Sequence, residues 1–567
     1  MTIRTRIAPS PTGTDIHIGN LYTALINWTV ARQAKKKDPT AGQFVIRIED
    51  TDRTRYVEGA EQQIIRSLAD FGLTTDEDPQ KGGPYGPYRQ SERLELYQTY
   101  SRQLVQSGHA YYSFATKEQL EEMKAKSEEL AKAEKQAFVA AAEAAESSGD
   151  AAPVDGSAPQ KPKFDYMTAA KLHFRKMLRD PAVAAFTQEE FEAKVEEKYG
   201  PGALERGEVE YTIRLLVPDH TDITFTDLIR GEITINTDQI DDQVLLKSDG
   251  FPTYHLAVVV DDVAMKISHI IRAEEWIAST PKHVMLYEAF GWEKPVFCHV
   301  PILRNPDKSK LSKRKNPVWS HWYLDNGYLP EAVLNYLSLM GWSHPEQKEV
   351  FDLAEFVETF KLEDLSAVGP AFDPTKLEWM NGQWIRRISD DDLQQRLFRY
   401  LSTKHPGFKL RADYDQTGAD DPAFRNNVTE QVDQYRPTQT QNESLEIKSS
   451  VFKATIPLVK ERMRTLDDYL SLCRFLFVRP AEYEMDLAEF ADVLPKVAER
   501  LEAIPDAEWK AEKIGEEMMA LCGELEMKAS KFFQMLRVVV TGKKVSPPLN
   551  ESMELLGRGE CVGRVRV

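Results

Sequence analysis

Thiols are scarce in this sequence: cysteine occurs only at Cys298, Cys473, Cys522 and Cys561. No two are close enough for a CxxC zinc or redox pair, so reduced thiols of a cytosolic protein are expected. Neither GxxxxGK[ST] nor GxGxxG is present, so any nucleotide must be held by another device. Long apolar runs are missing as well. The stretch Leu256–Val260 stops at Asp261-Asp262, far short of the roughly 20 residues that span a bilayer. The opening Met1-Thr-Ile-Arg-Thr-Arg-Ile carries charge where a secretory leader needs an apolar core, so no leader is expected. Positive charge is the minority sign, 72 Lys+Arg against 90 Asp+Glu, for a net −18. That balance argues against a general nucleic-acid coat but leaves room for a basic groove on an acidic body. No repeat of fixed period is found.

What is present is a globular composition, 42% apolar and 10% aromatic, over 567 residues. That length exceeds one core and predicts several domains. Phe44-Val-Ile-Arg-Ile-Glu49 alternates at period two and reads as a strand ending in an acid. Leu21–Arg32 before it has helical spacing. The chain thus opens strand, loop, helix, strand, the start of a parallel α/β sheet. A second α/β region lies near Leu256–Val260, where Asp261-Asp262 could bind metal, although acids at a strand end are often structural. It continues into Ile267-Ser-His-Ile-Ile-Arg272, a buried strand. A nucleotide-binding sheet with a large insertion fits this order. Inside the insertion, Lys117–Glu146 is rich in Ala, Glu and Lys and predicts a solvated helical arm. Ser147–Pro162 reads as a flexible linker and Tyr414–Ser444 as a surface loop. From Phe452 onward the periodicity is helical, with a cap signal at Thr465 and Asp468.

Two segments suggest chemistry. In Pro9-Ser-Pro-Thr-Gly13-Thr-Asp-Ile-His17-Ile-Gly19-Asn20, a tight loop leads into a helix whose free N–H groups suit phosphate. His17 could donate to a phosphoryl oxygen, and Gly19 leaves room for an adenine. Alone, such a segment is more often an ordinary βα turn. Lys308-Ser-Lys310-Leu-Ser-Lys313-Arg-Lys315 could meet the charge of departing pyrophosphate. Alone, it is more often a solvated loop.

Together they carry more weight. Arg6–Gly13 with His17-Ile-Gly19, and Lys310-Leu-Ser-Lys313-Arg314, resemble the two signatures of the glutamyl-tRNA synthetases, a class I aminoacyl-tRNA synthetase family. Between them, Arg47–Arg53, Gly86–Glu92, Ser248–Tyr254, Val260–Asp262, Ile271–Trp276 and Ser279–Pro281 follow in the family's order. The resemblance is strong over about residues 4–390 and thinner to the end, where Phe532–Gly542 still resembles the family. The chain departs from the family at several points. Thr14-Asp15-Ile16 is one residue longer than usual, so the loop must bulge. Asn20 replaces a histidine. Tyr112-Ser113-Phe114-Ala115 lacks the Cys-x-Cys with which some relatives hold zinc. The arm and linker are also longer than expected.

The resemblance implies an α/β fold: a Rossmann-type parallel-sheet catalytic domain (1–97 and 248–305) with an inserted acceptor-end domain (98–247). A stem-contact region (306–388) and an all-helical anticodon-binding region (389–567) follow. It implies glutamate contacts at Arg6, Ser10, Glu49, Tyr254 and Arg272. ATP contacts fall at His17, Gly19, Glu275, Trp276, Lys310 and Lys313, with His17 and Lys313 catalytic. Glu49 could instead pair with Arg47 or Arg53, Tyr254 could be a core residue, and Arg272 could pair with Glu274 or Glu275. The implied partners are ATP with Mg2+, L-glutamate and tRNA-Glu, for a cytoplasmic monomer with no protein-held metal and no zinc. Helical periodicity after Phe452 speaks against a glutaminyl enzyme with β-barrel anticodon domains. The length excludes a short tRNA-modifying paralogue, and both signatures argue against a non-catalytic RNA-binding relative.

Overall fold

Strand β1 (Ile3–Ile7), helix α1 (Ile18–Lys37) and strand β2 (Gly42–Ile46) open the chain. β1 and β2 run parallel, in register from Ile3↔Gly42 to Ile7↔Ile46. The computed structural model describes residues 2–13, 15–147, 164–204, 206–311, 317–411 and 445–566. It divides into two units, Met1–Val318 with Leu337–Phe372 and Trp319–Tyr336 with Asp373–Val567.

α1 outruns the expected Leu21–Arg32 at both ends. His17 caps it, Nδ1 accepting the Gly19 N–H at 3.0 Å, and Lys35, Lys36 and Lys37 sit at the negative end of its dipole. The return into β2 passes so close to α1 that a Cβ on residue 42 would lie 1.9 Å from the Ala31 carbonyl oxygen. Only glycine fits there. β2 ends at Ile46, short of Glu49. Val45 and Arg47 are buried as completely as Phe44, Ile46 and Ile48. Both faces are covered, as in parallel sheets, so the alternation did not mean one solvated face.

Helices α2 (Ala60–Asp70) and α3 (Leu94–Gln106) lead into the insertion. It holds β3 (Ala110–Ser113), α4 (Lys117–Ser147), α5 (Tyr166–Leu178), β4 (Ala184–Ala185), α6 (Gln188–Tyr199) and β5 (Thr212–Leu215). The chain then runs through β6 (Asp222–Asp227), β7 (Gly231–Asn236) and β8 (Val244–Leu246). The antiparallel order β4-β3-β5-β8 makes the insertion's own sheet. α4 and α5 form a hairpin: the Tyr166 hydroxyl donates to the Glu128 carbonyl at 3.2 Å, and His173 meets Glu134 at 2.9 Å. α5 is anchored at its base, where Arg179 pairs with Asp242 at 2.7 Å. Of the expected linker, residues 148–162 lie outside the described residues, as does all of the 414–444 loop.

The second half of the sheet follows as α7 (Tyr254–Ala264), β9 (His269–Ala273), α8 (Thr280–Ala289) and β10 (Val296–Val300). β9 and β10 are parallel, β6 lies parallel beside β10, and β7 pairs antiparallel with β6. The Ser268 N–H donates to the Arg4 carbonyl at 3.0 Å, joining the β9 edge to β1. Leu256–Val260 is helical, not extended. Buried all round within α7, it shows no amphipathic period that would mark it as a helix. Asp261 and Asp262 therefore project from a helix rather than from a strand end.

In the second unit the expected helical periodicity appears as Ser449–Val459, Leu494–Glu502, Ala511–Glu524, Ala529–Thr541, Leu549–Leu556 and Arg558–Val565. The last five enclose a core that includes Val497, Ile514, Met518, Phe532 and Leu536. Among the described residues of 389–567, the one departure from the all-helical expectation is a two-stranded parallel ladder, Phe408–Arg411 with Leu445–Lys448.

Candidate active site

Two adjacent acids of α7 organise the arginines at the ends of β1 and β2. Arg6 meets Asp262 with Nε at 3.1 Å and Nη2 at 2.9 Å, and Arg47 Nη1 reaches the same carboxylate at 2.6 Å. Asp261, about 100° further round the helix, accepts from Arg93 Nε at 2.7 Å and from Gln90 Nε2 and the Tyr97 hydroxyl at 2.9 Å. All these groups are buried. Opposite charges hold Asp262 below and Arg6 above their ordinary ranges, against the burial that opposes both. The two acids are thus engaged by arginines. Among the described residues, no cluster of three or more His, Cys, Asp or Glu side chains is placed to hold a metal ion.

Glu49 lies just beyond β2. Burial drives its carboxyl up to about 7, partly offset by Arg47 and Arg6. The Arg47 contact is long, 3.4 Å, while Arg53 turns to Asp50. Tyr254 opens α7, and its hydroxyl accepts from Arg272 Nη1 at 3.2 Å. Burial raises the phenol, and it feels the charges of Arg272, Glu49, Arg6 and Asp262. That places four of the five expected glutamate contacts, Arg6, Glu49, Tyr254 and Arg272, in one electrostatic cluster. The fifth, Ser10, is exposed in the loop after β1, where its carbonyl accepts from the Thr12 N–H.

Arg272 is the distinctive member. It is 5% exposed, yet among the described residues it makes no ion pair. It donates to His299 Nε2 at 3.1 Å, Tyr254 at 3.2 Å, His283 Nδ1 at 3.2 Å and Thr280 Oγ1 at 3.0 Å. The neighbouring acids are taken elsewhere: Glu274 pairs with Arg230 and Arg304, Glu275 with Lys310. A buried cation held only by neutral acceptors is costly until an anion joins it.

The nucleotide candidates lie on three segments. His17 and Gly19 form the N-terminus of α1. Because His17 Nδ1 accepts from Gly19, its proton sits on Nε2 when the ring is neutral. A Cβ at Gly19 would come within 3.1 Å of that ring. The extra loop residue is accommodated by Asp15, whose carboxylate accepts from the Ile16 N–H at 2.7 Å and the Ser67 hydroxyl at 3.2 Å. Glu275 and Trp276 follow β9. The Trp276 ring lies 4.4 Å from that of Tyr254, and Glu275 holds Lys310 at the entry to the lysine loop. Lys313 lies outside the described residues.

Residues 2–151 and 172–379 match the family "tRNA synthetases class I (E and Q), catalytic domain". The glutamate–tRNA ligase of Acidothermus cellulolyticus is 40% identical, with 100% of this chain and 95% of the relative covered. The chain belongs to the glutamyl-tRNA synthetase family. The ligase of Deinococcus radiodurans is likewise 40% identical to this synthetase, covering 99% and 97% of the two chains. Residues 427–567 match the family "Anticodon binding domain". A crystal structure of the glutamate–tRNA ligase of Elizabethkingia meningosepticum, in complex with its amino acid, superposes with a TM-score of 0.74 at 30% identity. It covers 100% of this chain and 99% of its own.

Thr280, His283 and His299, which meet Arg272 in the synthetase, and Asp227, which holds His299, were not among the expected site residues. Only weak signals marked them: a lone histidine in the apolar strand Val296–Val300, and an acid at the inward end of the Ile223–Phe225–Asp227 alternation. The second unit also holds a cavity of about 480 Å3 whose lining includes Trp379, Gln383, Arg386, Arg462 and Arg464 together with one acid, Glu461. With its amide oxygen turned inward, Gln383 accepts from Trp379 Nε1 at 3.2 Å and Arg386 Nη2 at 3.0 Å.

Proposed function

We propose that the cluster around Tyr254 binds L-glutamate for ATP-dependent ligation to tRNA-Glu through a glutamyl-adenylate. The carrying observation is Arg272, a buried guanidinium with neutral acceptors on every engaged nitrogen and, among the described residues, no ion pair. A γ-carboxylate supplies the missing charge and can accept the Nη2 N–H that the protein leaves open. Glu49 receives the ammonium, which returns its carboxyl to the charged form. Arg6 steadies the amino acid from the β1 side, and Ser10 closes the loop above it.

In this reading the glutamate α-carboxylate oxygen attacks the α-phosphorus of ATP, and the bond to the β-phosphate breaks. ATP enters as its magnesium complex, the ion travelling with the phosphates as part of the substrate. His17 Nε2–H and the N-terminus of α1 face the α-phosphate, and Gly19 leaves space for the adenine. Trp276 and Glu275 flank the nucleoside, while Lys310 and Lys313 take up the charge of departing pyrophosphate. A terminal ribose hydroxyl of tRNA then attacks the acyl carbon and AMP leaves. Residues 1–97 and 248–305 supply the sheet, 98–247 the acceptor-end contacts, 306–388 the stem contacts and 389–567 the anticodon contacts. The enzyme acts as a cytoplasmic monomer.

Aminoacylation of purified tRNA-Glu and tRNA-Gln, with glutamate and glutamine compared, tests the reading. Wild-type enzyme is expected to favour glutamate by about 10⁴. Arg272→Gln should raise the glutamate KM steeply and collapse that preference. An unchanged glutamate-to-glutamine ratio in folded Arg272→Gln would reject it.

A further inference from the structure

Resting on the reading of Arg272 as the γ-carboxylate contact, we infer that Asp227 and His299 are positioning residues that set the direction of Arg272 and thereby the choice of glutamate over glutamine. The geometry runs through one chain of hydrogen bonds. Asp227 is surrounded by donors: Oδ1 accepts the N–H of Ile229 at 3.2 Å and of Arg230 at 3.1 Å, while Oδ2 accepts the His299 N–H at 2.9 Å and His299 Nδ1 at 2.7 Å. A carboxylate with donors at every lone pair makes Nδ1 the protonated nitrogen of His299. Nε2 is then left with a lone pair, and it lies 3.1 Å from Arg272 Nε. Asp227, His299, Thr280 and His283 are all buried to 1% exposure or less.

The other acceptors are neutral as well. The Thr280 oxygen accepts from Arg272 Nη2 at 3.0 Å, and its one proton has two acceptors in reach, the Trp276 carbonyl at 3.0 Å and His299 Nε2 at 3.1 Å, so Nε2 faces both Arg272 and Thr280. His283 Nδ1 faces Arg272 Nη1, so its proton sits on Nε2, 3.1 Å from His255 Nδ1. Burial holds His255, His283 and His299 below the usual imidazole range, consistent with three neutral rings. Of the five guanidinium N–H groups, four are taken by neutral acceptors and, among the described residues, one on Nη2 remains. The protein thus orients the cation without neutralising it. A carboxylate partner in place of His299 would orient Arg272 equally well but would compete with the substrate for its charge.

Asparagine and glutamine divide the two functions of the His299 ring. His299→Asn keeps a group at the Nδ1 position, for Asp227, and removes the acceptor for Arg272; His299→Gln can place its oxygen near the Nε2 position. In aminoacylation assays, His299→Asn should raise the glutamate KM and lower the glutamate-to-glutamine ratio of kcat/KM by about tenfold, the scale of one missing hydrogen bond to a charged group. The KM for ATP should stay within about twofold of wild type. His299→Gln should recover most of the loss. Adding His299→Asn to Arg272→Gln should change the ratio no further. Should His299→Asn not fold, Asp227→Asn reads the same relay. Its amide sets a donor against donors, favours the reversed tautomer, and should lower the ratio similarly. A folded His299→Asn or Asp227→Asn with the wild-type ratio, whatever its melting temperature, would overturn the positioning role. If Arg272→Gln lowers the ratio while neither relay variant does, only the relay fails. If Arg272→Gln itself leaves the ratio unchanged, the reading of Arg272 fails first.

Discussion

In the proposed reading, Glu49 links binding to pH. Burial holds its folded-state carboxyl near 7, above the ordinary 4.5. In the free enzyme the folded state therefore retains a proton that the unfolded chain gives up. The associated stability is complete below about 4.5 and is lost as the pH rises through about 7. Glutamate's ammonium needs the deprotonated carboxylate, and glutamate itself does not titrate in this interval. The glutamate KM should accordingly fall as pH rises through about 7. Glu49→Gln should show a high KM that is flat across that interval, together with a melting temperature at pH 8 no lower than wild type. A KM profile that stays the same in the variant would remove Glu49 from the amino-acid site. The sequence showed that Glu49 and Arg272 stand at element ends. It did not show that Arg272 has no acid partner, because Glu274 and Glu275 are next to it in sequence and their pairing with Arg230, Arg304 and Lys310 is set by the fold.

Among the elements, α1 and β2 were legible because capping and periodicity are local properties, and β9 because a short apolar run ended at one charge. α7 was not. Its apolar residues carry no helical period, since the helix is buried on all sides, and only tertiary packing separates such a run from a strand. The turn from α1 into β2 gives a direct test. Gly42→Ala puts a methyl group where the Ala31 carbonyl already lies, so strand or helix must shift. Overpacking of this kind costs about 1–3 kcal/mol. The variant's melting temperature should fall measurably, with the glutamate-to-glutamine ratio unchanged in the folded fraction. Wild-type stability would mean that the α1–β2 approach is looser than described.

For the molecule as a whole, net charge is a poor guide to RNA binding. The chain is acidic at −18, yet Arg386, Arg462 and Arg464 share one cavity with Trp379 and Gln383. Arg462 and Arg464 are exposed, and an exposed tryptophan offers a base or ribose a face to stack on. The affinity for tRNA should fall steeply with salt. Changing the three arginines to glutamine should flatten the log–log slope by about 0.7–0.9 for each phosphate that is no longer neutralised. A slope unchanged in the triple variant would place the RNA elsewhere.

The bonds that close the sheet also free the insertion from holding it together. Ser268 joins Arg4, Asp262 joins Arg6 and Arg47, and Asp261 joins Arg93. These links tie residues from the two flanks of the insertion directly to each other, independent of the α4–α5 hairpin. In polymer terms the whole hairpin is an excursion from a closed ring, and lengthening such an excursion costs only about 0.6 kcal/mol per doubling. The fold can thus tolerate wide variation in the length of this arm without disturbing the adenylation site. A chain in which residues 132–165 are replaced by a short glycine-serine turn should keep its glutamate KM and its amino-acid preference. Any penalty of the deletion should appear in the KM for tRNA. Loss of the amino-acid preference on shortening the arm would show that the two halves of the sheet depend on it after all.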